Sequence, residues 1–155
     1  MRIGQGVDIH AFAAGRPLML GGVEIPHTHG LDGHSDADVL LHAMIDALLG
    51  AAGLGDVGGM FPSSDERWRG ASSVHLLRLV AERIALAGFR IGNVDATIVA
   101  QAPRLAGYVE AMRGAIAAAL EVDVTLVSVK VTTSDGLGCT GRGEGIAAFA
   151  VVLLE

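Results

Sequence analysis

The alternation of apolar and polar positions predicts strands near both ends of the chain and in its second half. Residues 1–8 alternate around Ile3 and Val7, which is the two-residue period of a strand. A short hairpin is expected where residues 18–20 and 23–25 flank the Gly21–Gly22 turn. Three further segments complete a set of four longer strands, namely residues 91–100, 127–131 and 146–154.

Apolar runs with helical spacing predict three helices between these strands. Ser35 is the expected N-cap of the first helix, which ends before Gly50. Ser72 or Ser73 is expected to cap the second helix, which ends near Gly88. Residues 108–120 predict the third helix, and the segments 27–34, 53–64 and 136–145 are typical of loops.

This interleaving of strands and helices predicts a single α+β domain over residues 1–155. We expect two layers, in which a mixed four-stranded sheet carries the helices on one face, together with the short hairpin. Hydrophobic residues make up 51% of the chain and its mean hydropathy is +0.50, although only 4% of the residues are aromatic. One small core does not account for so much apolar surface, so we predict an oligomer.

Charge and hydropathy argue against two classes of partner. The net charge is -6 and Lys130 is the only lysine, so no basic face is expected for nucleic acid. The longest apolar run, residues 146–154, is shorter than the ~20 residues that span a bilayer, and no charged-then-apolar signal segment opens the chain. We therefore expect a soluble cytoplasmic protein that binds neither nucleic acid nor a membrane.

Two short segments predict a metal site. Asp8 and His10 are two residues apart in a strand, so their side chains project from the same face, and His42 on the first helix could complete the set. Cys139 is the only cysteine, so any zinc must be held by histidine and aspartate. Two imidazoles and one carboxylate suit a catalytic zinc with an open fourth position, but non-haem iron uses the same ligands.

A polar stripe runs along the first predicted helix. Asp38, His42 and Asp46 are spaced four residues apart and share one helix face. A metal-bound imidazole usually donates its second N–H to a carboxylate, so we expect Asp38 or Asp46 to accept it. Three other histidines, His75 and the His27/His29 pair, are interpreted as structural or solvated.

Three other segments are ambiguous on their own. The glycine-rich residues 140–145 could cradle a phosphate, but they precede a strand and equally suit a plain structural turn. Residues 132–135 place three hydroxyls and a carboxylate at a strand end, which is typical of ligand contacts and of ordinary turns. Residues 55–58 and 61–65 are ambiguous in the same way.

Taken together, these segments closely resemble the 2-C-methyl-D-erythritol 2,4-cyclodiphosphate synthase family of the non-mevalonate isoprenoid pathway. The resemblance covers essentially the whole chain, and no single motif carries it. It rests on residues 3–10, 34–38, His42, 55–58, 92–95, 100–103 and 140–145.

The resemblance implies a homotrimer with active sites between subunits, and an intramolecular phosphoryl transfer. In 4-diphosphocytidyl-2-C-methyl-D-erythritol 2-phosphate, the 2-phosphate would attack the β-phosphorus and release CMP. Because an anionic phosphate needs no strong base, catalysis would consist of positioning and charge neutralisation. Two alternatives stay open: a zinc-dependent phosphohydrolase, and a non-catalytic trimer that binds isoprenoid diphosphates.

The resemblance also implies residue roles. Asp8, His10 and His42 would hold zinc, Asp135 would help to place magnesium or manganese, and His34 and Thr133 would stabilise the transition state. The substrate would contact Ser35, Asp56, Gly58, Phe61 and Asp65, with its cytidine bound by Ala100, Ala102, Pro103, Leu105 and Thr132 of a neighbouring subunit. Cys139 and Arg142 complete the predicted binding residues, with Arg142 and Glu144 beside a central cavity that holds isoprenoid diphosphates in some members.

Four positions depart from the pattern of this family. Asp135 stands where glutamate is frequent, and Gly136 stands where lysine is frequent. Cys139 replaces a common aromatic residue and Gln5 replaces a frequent histidine. None of these positions belongs to the zinc triad, so activity is still expected.

Overall fold

The computed structural model describes all residues, 1–155. The strands are β1 (Arg2–Ala14), β2 (Leu18–Leu20), β3 (Val23–Ile25), β4 (His29–Leu31), β5 (Ile91–Val99), β6 (Val127–Thr132) and β7 (Gly145–Leu154). The helices are α1 (Val39–Ala52), α2 (Val57–Met60), α3 (Ser73–Leu86), α4 (Val109–Leu120) and α5 (Gly138–Gly141). Each helix is too short to cross a bilayer, and none qualifies as a membrane span.

The main sheet has five strands in the order β4-β1-β7-β5-β6, and β2 and β3 form a separate hairpin. β5 and β6 are parallel, whereas the other neighbours are antiparallel, so the predicted mixed sheet and hairpin are confirmed. The predicted number of four strands is wrong. β1 continues to Ala14, and β4 pairs with this extension. β4 lies within residues 27–34, the segment expected to be a loop.

Helix α1 lies directly against β1 because two glycines leave room for it. A Cβ atom added at Gly4 would lie 1.9 Å from the carbonyl oxygen of Ala47, and one at Gly6 would lie 1.9 Å from that of Ala43. No residue with a side chain fits at either position without moving the helix. Asp8 continues the same alternation along β1, so the predicted ligands face α1.

The start of α1 differs from the prediction. Asp38, rather than Ser35, is the N-cap, and its Oδ1 accepts a hydrogen bond from the backbone N–H of Leu41 at 3.1 Å. The helix passes Gly50 and ends at Ala52, and its C-cap is Gly53, whose φ of 71° lies in the left-handed region. All α1 residues except Asp46 and Gly50 are buried, so α1 is the central helix of the core.

The opposite face of the sheet carries apolar side chains with no cover in the single chain. Helices α1 and α4 pack on the inner face, and α3 packs against these two helices. On the outer face, Ile3 is 75% exposed, Val7 45% and Ile9 56%, and Phe149 and Val151 of the adjacent β7 are 40% and 44% exposed. The apolar alternation that predicted β1 therefore marks its outward face, while the inward positions from Gly4 to His10 are glycine or polar.

Candidate metal centre

Asp8, His10 and His42 bring three ligand atoms to one point, as the sequence predicts. Asp8 Oδ2 lies 2.8 Å from His10 Nε2 and 3.1 Å from His42 Nδ1, and the two nitrogens are 3.2 Å apart. Zinc bonds of about 2.0–2.1 Å in a tetrahedron place neighbouring ligand atoms about 3.3 Å apart. The three atoms thus have close to the spacing of one face of a zinc tetrahedron.

In its neutral form, His10 presents a lone pair at Nε2, the ring nitrogen that faces the other two ligands. His10 Nδ1 contacts the carbonyl oxygen of Asp32, which can only accept, so Nδ1 carries the proton of the neutral ring. Nε2 then directs a lone pair at the Asp8 carboxylate and at His42. These electron pairs repel each other unless a proton or a metal ion lies between them, so the donor set fits a metal ion.

The ionisation of the metal-free triad reflects the same crowding. Burial alone would raise the pKa of Asp8, but hydrogen bonds and charge attraction from His10 and His42 outweigh it and hold the pKa well below its usual range. Burial alone would lower the pKa of His10, but Asp8, with a smaller contribution from Asp32, raises it. Protons therefore compete with a metal for this site.

The structure corrects the predicted roles of Asp38 and Asp46, because neither carboxylate contacts His42. Asp38 accepts hydrogen bonds from the backbone N–H groups of Gly21 and Gly22 at 3.0 and 2.7 Å, and so ties the hairpin turn to α1. Burial raises the pKa of Asp38. Asp46 accepts from the backbone N–H of Val57 at 2.7 Å and fixes the start of α2.

Two serines occupy the place expected for the carboxylates. Ser35 Oγ and Ser73 Oγ each lie 3.0 Å from His42 Nε2. Ser35 was predicted to contact the substrate, but Ser73 was considered only as a helix cap. Ser73 lies 31 residues beyond His42, so only the packing of α3 against α1 reveals the contact.

A pocket of about 400 Å³ opens over the triad. His34, Ser35, Gly58 and Phe61 line it, as the resemblance implies. The indole of Trp68 also lines it and packs edge-on to Phe61, with ring centroids 5.0 Å apart. A single aromatic residue in a polar loop gives no sequence signal for such a place.

Two predicted substrate residues stand beside this pocket rather than in its wall. Asp56 is the N-cap of α2, and its Oδ1 accepts from the N–H of Gly59 at 2.7 Å. Asp65 caps a 3-10 turn and pairs with Arg67 at 2.5 Å, which lowers the pKa of Asp65. His34 Nε2 lies 3.4 Å from the carbonyl oxygen of Asp65.

A second pocket of about 220 Å³ lies at the other edge of the sheet. It contains most of the predicted cytidine residues and Thr133. Ile9, Ala147, Val99 and Thr132 form one row across β1, β7, β5 and β6. Strands are spaced about 4.8 Å apart, so this pocket is roughly 14 Å from the metal ligands of the same chain. The residues that line it are Ala100, Gln101, Pro103, Arg104, Leu105, Ala106, Val131, Thr132 and Thr133.

The remaining predicted residues follow β6, and none of them lines the pocket over the triad. Thr133 Oγ1 donates to Asp135 Oδ1 at 3.2 Å, and Asp135 has a φ of 51°. Cys139 is exposed on α5, and Arg142 pairs with Glu144 at 2.6 Å. A single chain therefore contains two separate pockets.

The fold and this site define a single-domain α+β enzyme with a candidate metal centre at the mouth of a pocket. The sequence model of the YgbB family matches residues 1–155, and the chain belongs to this family. It is 62% identical over 154 residues to the 2-C-methyl-D-erythritol 2,4-cyclodiphosphate synthase of Moorella thermoacetica, covering 99% of this chain and 94% of that protein. A synthase of the same name from Pseudomonas aeruginosa strain UCBPP-PA14 is 60% identical, covering 99% of this chain and 98% of the relative.

Solved structures of related proteins have the same fold. The IspF of Plasmodium falciparum in complex with CDP superposes with a TM-score of 0.86 at 35% identity, covering 99% of this chain and 94% of that chain. The bifunctional IspDF of Campylobacter jejuni superposes with a TM-score of 0.95 at 43% identity, covering 99% of this chain. This chain spans only 42% of that longer protein, which carries two functions.

Proposed function

We propose that this chain converts 4-diphosphocytidyl-2-C-methyl-D-erythritol 2-phosphate to 2-C-methyl-D-erythritol 2,4-cyclodiphosphate and CMP, in the isoprenoid pathway. The observation that carries the proposal is the convergence of three ligand atoms on an open pocket, in a chain 62% identical to a synthase of this name over almost its full length. Solved relatives that bind CDP support a cytidine nucleotide as the ligand.

The residues of the chain would act mainly by positioning and charge. A zinc ion held by Asp8, His10 and His42 would supply Lewis-acid polarisation of a phosphoryl oxygen. His34 and Ser35 line the same pocket and can donate to the phosphate oxygens as charge redistributes. Gly58 and Phe61 form the wall against which the methylerythritol chain would fold, so that its 2-phosphate approaches the β-phosphorus in line.

We further propose a homotrimer in which each active site joins the triad of one subunit to the second pocket of its neighbour. The roughly 14 Å between the triad and the second pocket argues that one chain alone cannot hold the phosphates at the triad and the cytidine in its own second pocket. The exposed apolar face of the sheet, including Ile3 and Phe149, supplies a surface that a neighbouring copy would cover. In this assembly Thr132 would bind the cytidine and Thr133 would stabilise the transition state on the substrate of the neighbouring subunit.

The proposal extends to a second metal ion and to a ligand of the central cavity. Asp135 does not belong to a cluster of three metal-binding side chains. A single carboxylate suits magnesium or manganese, because such ions take most of their ligands from water and substrate phosphates. Arg142 and Glu144 would lie near the proposed axis, where an isoprenoid diphosphate would bind. The cytoplasmic location also stays a proposal.

The test is turnover of the cytidine diphosphate substrate by purified protein with zinc and magnesium, followed by ³¹P NMR. We expect CMP and a cyclic diphosphate in equal amounts, without inorganic phosphate. A linear product would support a phosphohydrolase instead. An intact substrate, with retained binding of an isoprenoid diphosphate, would support a non-catalytic trimer and refute the proposal.

A further inference from the structure

The second nitrogen of His42 lies between two buried hydroxyls rather than against a carboxylate. Ser35 is 7% exposed and Ser73 is fully buried, and both Oγ atoms lie 3.0 Å from His42 Nε2. A neutral imidazole that presents a lone pair to a metal at Nδ1 carries its proton at Nε2. One of these hydroxyl oxygens must therefore accept that proton.

The neighbours of Ser73 decide which way its hydroxyl points. Ser73 Oγ contacts Asp36 Oδ1, and the backbone N–H of Ser73 donates to Asp36 Oδ2 at 2.9 Å. A carboxylate only accepts hydrogen bonds, so the hydroxyl proton of Ser73 is directed to Asp36. The Ser73 oxygen consequently offers only lone pairs to His42.

We infer that Ser73, held by Asp36, is a positioning residue that keeps the proton of His42 on Nε2 and so keeps Nδ1 free to bind the metal. The opposite tautomer would leave two lone pairs facing each other 3.0 Å apart in a buried site. Ser35 alone cannot exclude that tautomer, because its hydroxyl can either donate or accept.

The arrangement also releases Ser35 for the ligand. The Oγ of Ser35 accepts a hydrogen bond from the backbone N–H of Ala37 at 3.1 Å, which orients its oxygen. When Nε2 of His42 is the donor, the hydroxyl proton of Ser35 is not needed there. It can point into the pocket that Ser35 lines together with His34.

The test measures zinc binding directly by competition with a chromophoric chelator, using zinc alone. Ser73→Ala should weaken zinc binding by about 10–100-fold, the range typical for losing the partner of a ligand imidazole. Ser73→Thr keeps the hydroxyl and should restore most of the affinity. Ser72→Ala is the matched control, because Ser72 is exposed at the N-cap of α3 and makes no side-chain cap bond.

A structural role alone would give a different result. Absorption of bound Co²⁺ should change in Ser73→Ala and be restored in Ser73→Thr, with far-UV circular dichroism unchanged in both. Affinity in Ser73→Ala equal to that of Ser72→Ala would overturn the inference. So would a loss in Ser35→Ala with none in Ser73→Ala, because the acceptor would then be Ser35.

The wild-type protein decides the matter if the Ser73 variants do not fold. In zinc-loaded protein labelled with ¹⁵N-histidine, the Nε2–H proton of His42 should be seen and should exchange slowly with water. Ligation through Nε2, or a rapidly exchanging proton there, would overturn the inference. The inference rests on the metal centre of the proposed function, but zinc affinity can be measured whether or not the protein turns over the cytidine substrate.

Discussion

Replacing Gly6 by alanine should displace α1 and disable the metal centre without touching a ligand. The added Cβ would lie 1.9 Å from the carbonyl oxygen of Ala43, whereas such atoms essentially never approach within 3.0 Å. The helix must therefore move by about 1.1 Å or more at this point. His42 precedes Ala43 on the helix, and Asp8 lies two residues after Gly6 on the strand, so the movement separates the ligands.

The size of the effect follows from the tolerance of metal bonds. Zinc–ligand distances tolerate deviations of about 0.2 Å, which is far smaller than the expected displacement. Overpacking of a core typically costs about 1–3 kcal/mol, so the variant should still fold. We expect Gly6→Ala to lose most of its zinc affinity, measured by chelator competition, together with the added thermal stability that zinc gives the wild type.

Two comparison variants separate the geometry of the site from general destabilisation. Gly4→Ala has the same 1.9 Å clash, with Ala47 one helical turn further from the triad, so it should cost similar stability but less zinc affinity. Gly50→Ala adds a methyl group in open space on α1 and should retain zinc while gaining up to about 1 kcal/mol of stability. The reasoning fails if folded Gly6→Ala binds zinc as tightly as Gly50→Ala.

Four further predictions concern the triad, its protonation, the second metal and the assembly. His42→Ala should lose zinc, measured by elemental analysis, and nearly all CMP release while the folded assembly persists; wild-type turnover in this variant would refute the metal assignment. The pKa of His10 is raised above its ordinary value of 6.5. Protonated His10 therefore stabilises the folded metal-free protein below pH 6.5, and this stabilisation is lost as the pH rises through the pKa of His10 in the folded state. Melting of metal-free protein should show this decline with rising pH, zinc affinity should rise over the same pH range, and metal-free His10→Ala should lack the decline. Asp135→Glu should keep or mildly improve the magnesium-dependent rate, and complete loss of activity would count against this position for the ion. Val151→Glu places a charge on the exposed sheet face and should shift the native mass from trimer to monomer, whereas an unchanged mass in sedimentation would contradict the proposed interface.

Local patterns were sufficient to predict most of the elements and the metal triad. The two-residue period of a strand places Asp8 and His10 on one side, and His42 on the first predicted helix is the expected third ligand. The hairpin at Gly21–Gly22 was also predictable, because its turn depends on adjacent residues alone. The other assigned site residues are carried by the resemblance and stay predictions.

The errors concern contacts between distant segments. The fifth strand, β4, forms only because β1 is long enough to pair with it. Asp38 has the spacing expected of a partner for His42, but its carboxylate oxygens accept hydrogen bonds from the hairpin turn instead. Spacing along a helix says which residues share a face, and it does not say which segment will pack against that face.

The sequence by itself determined the ligand types and the face of β1 that carries Asp8 and His10, because strand periodicity fixes that face, and it indicated His42 as the third ligand. Only the tertiary structure decided that Gly6 lets α1 approach β1 closely enough for the three ligands to meet. It also decided that Ser73, rather than a carboxylate on α1, accepts from His42. Both outcomes depend on the distance between packed elements, and that distance is set by all the side chains of the interface together.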